Sequence, residues 1–202
     1  PTVSRALKDS PEISRELCAK AKALAKEMNY RPNPFAMSLR KNAPRIIGVI
    51  VPDIVTHFFA SILNGIENMA IANGYFVIIT TSHESYEHEK RNIENLVNMR
   101  VEGIIACLSQ ETTDFSHISA LKDINMPLIL FDRVCLTDQF SSVIADGAQS
   151  AQMATQHLLD NGSERVAFIG GANHLDIVKR RKHGYLEALR ENRIPIEKEL
   201  VV

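Results

Sequence analysis

The spacing of apolar positions changes once along this chain, near residue 45. Upstream, Ile13, Leu17, Ala21, Leu24 and Met28 recur at three- and four-residue intervals, which predicts a helix with one apolar face. Ser14 is placed to cap it. "TVSRALKDS" reads as the end of an earlier helix, stopped near Asp9-Ser10-Pro11, and "RPNP" (31–34) breaks the second helix. Downstream, continuous apolar runs alternate with amphipathic stretches. "RIIGVIVPD" (45–53), "YFVIITTS" (75–82), "VEGIIACLS" (101–109), "PLILFDRV" (127–134), "SSVIAD" (141–146) and "RVAFIGG" (165–171) read as strands. Helices are predicted after 53 (Phe58, Phe59, Ile62, Leu63, Ile66 and Met69 on one side), and over 84–99 (polar-faced), 115–123, 147–161 and 177–192. The tail "IEKELVV" reads as the start of one more strand.

Strands alternating with helices predict βαβ units and a parallel sheet. Such sheets bind ligands beyond the carboxyl ends of their strands. Here those ends read Pro52-Asp53, Thr80 to Ser82, Ser109, Asp132-Arg133, Asp146 and Gly170-Gly171. As a set they suit a polar ligand; singly, each is an ordinary loop residue.

The net charge of −1 conceals an uneven distribution. Residues 1–45 hold ten Lys and Arg against four acids, whereas the rest holds thirteen against twenty. A basic head on an acidic body points either to an anionic polymer as partner of the head or to a solvated helical face. Segment 31–42, "RPNPFAMSLRKN", sets Phe35, Met37 and Leu39 among Arg31, Arg40 and Lys41. Such a short helix can bring basic groups to phosphates while an apolar tip wedges into the minor groove. The competing reading is that Phe35 and Leu39 pack on the neighbouring domain.

Catalytic signatures are absent from the sequence. It has no G-x-x-x-x-G-K-[ST], G-x-G-x-x-G or G-x-S-x-G, and an enzyme reading finds no nucleophile, base pair or metal cluster. His83 and His88 are five apart, which is not a same-face helical spacing. "FIGG" before a helix either holds an anion or makes a tight turn. Neither cofactor nor metal is expected. Three cysteines at unrelated spacings read as buried free thiols in a reduced compartment. No run approaches the length that crosses a bilayer, and no secretion-like segment opens the sequence, so a cytoplasmic protein without membrane contact is expected.

"PTVSRALKDSPEIS", "EMNYRPNPFAMSLR", "RIIGVIVPDI", "LILFDR", "VIADG" and "RRKHGYLEAL" together resemble the LacI/GalR family of bacterial repressors, in register over essentially the whole chain. The resemblance implies an α/β protein. A small all-α helix-turn-helix DNA-binding head (1–32) would precede a hinge helix (33–44). A periplasmic-binding-protein-like core of parallel sheets with flanking helices would follow, its first lobe over 45–145 and an incomplete second lobe over 146–202. The first head helix and the C-terminal part of the core are expected to be missing. The implied partners are duplex DNA with a palindromic operator, a small-molecule effector (a sugar foremost), and further copies of the chain in a homodimer or higher assembly. By match to the family motifs, Thr2, Ser4 and Arg5 lie on the recognition helix, with Arg5 suited to a guanine edge. Asn33 opens the hinge motif, Ala36 continues it and Leu39 takes the wedge position. Phe59, Asp132, Asp146 and Arg181 fall at effector-contacting positions. Two departures stand out. Met37 stands where family hinges commonly carry Arg, and Gly147 follows Asp146 where Asn is common. The alternative function is a sugar-binding receptor of a transporter, which the core alone would fit.

Overall fold

The computed structural model describes residues 2–30 and 45–202. The chain divides into two compact units, 1–44 and 45–202. In the first, α1 (Thr2–Ala6) leads through a turn into α2 (Arg15–Glu27). Asp9, at φ 53°, turns the chain out of α1 while the Ser10 amide donates back to the Arg5 carbonyl. Ser14 caps α2 as expected: its Oγ accepts from the Leu17 amide at 3.3 Å. Ala6 and Cys18 are buried. The predicted apolar face of α2 is largely open, however, with Leu17, Leu24 and Met28 exposed by 44%, 54% and 70%. The five residues of α1 are too short a surface to cover four turns of helix.

The second unit is built on β1 (Ile46–Val51), β2 (Phe76–Thr81), β3 (Gly103–Ala106), β4 (Leu128–Phe131) and β5 (Ser141–Val143). All neighbours are parallel, in the order β2-β1-β3-β4-β5. Ile47 of β1 lies opposite Val77 on one side and Gly103 on the other. The intervening helices are α3 (His57–Ala72), α4 (Tyr86–Asn98) and α5 (Ser116–Asp123). Alternation along β1 divides its side chains between two layers. Val49 and Val51 join Cys107, Phe131 and Phe59 of α3. Ile46 and Ile50 join Leu96 of α4, Ile118 of α5, Ile104 and Leu130. Each such fully buried side chain stabilises the fold by about 1.5–3 kcal/mol. Gly48 has a steric reason to be glycine: a Cβ there would lie 2.5 Å from Leu96 Cδ1.

A third cluster forms around Val166, Tyr185 and Leu189, beneath α6 (Gly147–Asp160) and α7 (Asp176–Glu191). These two helices touch backbone to backbone. A Cβ on Gly184 would sit 1.9 Å from the Ala148 carbonyl oxygen. The next residue, Tyr185, is buried and donates its hydroxyl proton to the Val166 carbonyl at 2.8 Å.

Three sequence expectations need correction here. The predicted strand over 165–171 is reduced to one parallel bridge, Phe168 with Val201. Likewise the tail forms a single 3-10 turn (Lys198–Leu200) before that bridge. An apolar run signals burial, but a ladder also needs a partner of matching length. Here Phe168 and Gly170 find theirs only in Leu200 and Val202. The helix expected to be polar-faced over 84–99 also hides a fully buried acid, Glu89.

Candidate functional site: a cleft at the strand ends

The order of the strands reverses between β1 and β3, and a cleft of about 450 Å³ opens beyond their carboxyl ends. Phe58 and Phe59, at the start of α3, form one wall. Their rings meet edge to face at 5.1 Å, and Phe59 meets Phe131 in the same way at 6.4 Å. Within that wall Phe59 is buried, whereas Phe58 is 51% exposed. Gln110 follows β3, and Asp132 and Arg133 follow β4. On the opposite side stand Gly170, Gly171 and, from α7, Arg181.

Asp132 has a left-handed backbone (φ 58°) that turns it out of β4. Burial raises its carboxyl above the ordinary 3.8, against the pull of Arg133 and Arg181. Arg181 has no hydrogen-bond partner among the described residues, so its guanidinium is available for paired bonds to a ligand. Arg133, by contrast, is committed. It donates to both carboxylate oxygens of Glu84 (2.5 and 2.9 Å) and to the Leu108 carbonyl at 3.2 Å. Burial alone would raise the Glu84 carboxyl. The Arg133 bonds and the Gln110 amide, which donates at 2.7 Å, outweigh it and hold Glu84 below 4.5.

Below the rim lies a buried polar cluster. Glu89 accepts from the Ser109 amide, from Thr112 Oγ1 at 2.9 Å and from His117 Nε2 at 2.8 Å. Ser109 in turn donates to Ser82 Oγ at 2.9 Å, which ties the ends of β2 and β3 together. A buried carboxyl group with three donors is satisfied, and removing a donor exposes the cost of its burial.

Of the four effector positions inferred from sequence, Phe59, Asp132 and Arg181 line this cleft together. Asp146 sits outside its lining and caps α6, where its Oδ1 accepts from the Gln149 amide at 3.0 Å. The adjoining Gly147 lies against Arg181, whose Cγ would be 3.4 Å from a Cβ placed there. Phe58, Gln110 and Thr56 also line the cleft without having been singled out as site residues. Adjacent phenylalanines give no periodic signal of which one faces out.

In the first unit, Thr2 and Arg5 are exposed on α1, with Ser4 beside them half-buried. Arg5 pairs with Glu12 at 2.5 Å, an exposed bridge worth about 1 kcal/mol or less. Asn33, Ala36 and Leu39 lie outside the described residues. His83 and His88 stack edge to face at 6.2 Å, and no group of three His, Cys, Asp or Glu among the described residues could hold a metal. Cys18, Cys107 and Cys135 are free and buried. No described helix is long and apolar enough to cross a membrane.

A parallel sheet with flanking helices and a polar cleft at its strand ends defines an α/β ligand-binding core of the periplasmic type. Residues 45–202 match the family described as periplasmic binding proteins and the sugar-binding domain of the LacI family, and the chain belongs to it. Catabolite control protein A of Priestia megaterium is 32% identical over the whole of this chain and 60% of its own length. A crystal structure of the lac repressor dimer bound to operator and an anti-inducer superposes with a TM-score of 0.77 at 25% identity, covering 96% of this chain and 58% of that one. The Cra transcriptional dual regulator of Pseudomonas putida, in complex with fructose 1-phosphate, superposes at 0.68 and 27% identity, covering 72% of this chain and 54% of that one. The chain thus spans about 60% of the length of the curated relatives it matches.

Proposed function

We propose that the protein is a sequence-specific DNA-binding transcriptional repressor, released or engaged by a sugar-like effector in the cleft. The observation that carries the reading is the convergence of Phe59, Asp132 and Arg181 on one cavity. An aromatic wall takes the apolar face of a sugar ring. A carboxylate and an unpaired guanidinium take its hydroxyls, or an anionic substituent. Relatives named as ribose operon repressors, and a regulator solved with fructose 1-phosphate, support the same assignment. Residues 1–32 would serve as the DNA-binding head, with Arg5 reading a base edge and Thr2 and Ser4 on phosphates. Residues 33–44, with Asn33, Ala36 and the Leu39 wedge, would be the hinge, and 45–145 and 146–202 the two lobes. Asp146 would join the site through the oxygen its cap leaves unused, one residue before the Gly147 that lies against Arg181. Two copies acting on a palindromic site are supported by exposed apolar side chains on α3 and edge strand β2, Met69 and Phe76 among them, exposed by 68% and 66%.

Fluorescence anisotropy with duplex DNA from the control region of its own gene tests the reading. The protein should bind with an affinity that falls steeply with salt, and removal of residues 1–44 should abolish binding while leaving sugar binding intact. Specific binding by the truncated form would overturn the assignment of the head. Salt-independent, negligible affinity of the intact protein would favour a transport receptor instead.

A further inference from the structure

A second cavity, of about 330 Å³, lies between the loops that follow β3 and β4 and the opening turns of α7. It is separate from the sugar cleft but shares Arg133, Leu175 and Ile177 with it. Consecutive residues of α7 serve the two cavities, Lys179 and Arg180 the second and Arg181 the first. The three consecutive basic residues Lys179, Arg180 and Arg181 are therefore divided between the two cavities.

The charges of this second cavity do not cancel. Arg133 is neutralised by its paired bonds to Glu84. Arg180 gives its Nε to Asp176 at 2.5 Å, and its two terminal nitrogens have no partner among the described residues. Lys179 has no partner among the described residues either. His174 spends its Nε2 on the Gln110 carbonyl. One positive charge is left over, beside a pair of guanidinium donors, in a space whose walls include Phe115 and Leu136.

We infer that this cavity binds a small organic monoanion, a carboxylate with an apolar flank. The carboxylate accepts from the terminal nitrogens of Arg180, Lys179 supplies the balancing charge, and the flank lies on Phe115 and Leu136. A phosphate monoester carries close to two charges near neutral pH and would leave one unbalanced. Because the ligand touches both sides of the crevice, it restrains the Leu175 to Ile177 segment that also walls the sugar cleft.

Isothermal titration calorimetry with benzoate, phenyl phosphate and benzyl alcohol tests this on the full chain. Benzoate should bind with a Kd of about 1 mM or tighter. Benzyl alcohol, which lacks the charge, should bind about tenfold more weakly or not at all. Lys179→Gln, at an exposed and unpaired position, should weaken benzoate about tenfold while leaving the circular dichroism spectrum unchanged. Arg181→Gln, in the other cavity, should change it less than twofold. Absence of benzoate binding, or equal binding of the alcohol, would overturn the proposal. Loss on Arg181→Gln but not on Lys179→Gln would place the anion in the sugar cleft and overturn it as well. Tighter binding of phenyl phosphate would overturn the assignment of a carboxylate.

Discussion

His174 Nε2 donates to the Gln110 carbonyl oxygen at 2.7 Å, joining the segment before α7 to the end of β3. Gln110 lines the first cleft and His174 the second cavity, so this bond sits at the seam between them. A hydrogen bond of this kind contributes about 1 kcal/mol net. His174→Ala should therefore speed amide exchange about fivefold over 172–176 and around Gln110, with the core of β1 and β3 unchanged. Hydrogen–deuterium exchange with mass spectrometry reads this directly. Unchanged protection at both segments would show that the bond does not hold the seam.

The contact of Gly184 with Ala148 predicts a severe substitution. A methyl group at 1.9 Å from a carbonyl oxygen cannot be absorbed by rotating a side chain, because the obstacle is backbone. Gly184→Ala should force α6 and α7 apart and destabilise the protein by about 3 kcal/mol. Thermal unfolding followed by circular dichroism checks it. At Gly171, where the nearest atom is Val178 Cγ2 at 3.5 Å, the same change should do much less.

Two carboxyl groups at the cleft respond to pH in opposite senses. Burial raises the Asp132 pKa in the folded state, so ionising it there costs more than in the unfolded chain. Its contribution is most favourable below the ordinary 3.8 and is lost as pH rises through the raised value. Asp132→Asn should then leave stability at neutral pH equal or slightly higher while weakening binding of the proposed effector about tenfold or more. Glu84 lies below 4.5 in the folded state, so its contribution is full above that value and fades as pH falls through the lowered one. Denaturant melts at pH 7 and pH 4 should show Glu84→Gln destabilising at the former and less so at the latter.

Cys107 and Cys135 are each pushed up to about 12, chiefly by burial. Only the thiolate is nucleophilic, so both should resist iodoacetamide at pH 7.5 in the native protein and react after unfolding. Mass spectrometry of the alkylated peptides tests this. Rapid native labelling of Cys107 would contradict its place in the core.

The sheet was legible because its strands are buried on both faces and so read as unbroken apolar runs. "IIGVIV" of β1 and "LILF" of β4 carry that signature directly. The segment "RVAFIGG" carries it too, yet Ile169 is 84% exposed and only Phe168 pairs. Sequence reports the wish to be buried, whereas pairing depends on what lies alongside. Glu89 was hidden for the opposite reason. Acids on a helix usually face water, and its three donors come from Ser109, Thr112 and His117, all about twenty or more residues away. In the cleft, Asp132 and Arg181 could be found from motifs, and the Gly184-Tyr185 pair of the same motif is explained by packing rather than by ligand. Phe58 could not be found, since which of two neighbouring rings faces out depends on how α3 is rotated on the sheet.

In the proposed function, occupancy of the cleft governs the grip on DNA. This is tested most directly by measuring the Kd for duplex DNA with and without the sugar or sugar phosphate that most raises the melting temperature of the intact protein. The wild type should show a change of about fivefold or more, a coupling of about 1 kcal/mol. Arg181→Gln should retain DNA binding and lose that change. An equal change in Arg181→Gln, or the absence of any change in the wild type on saturation of the cleft, would contradict the account.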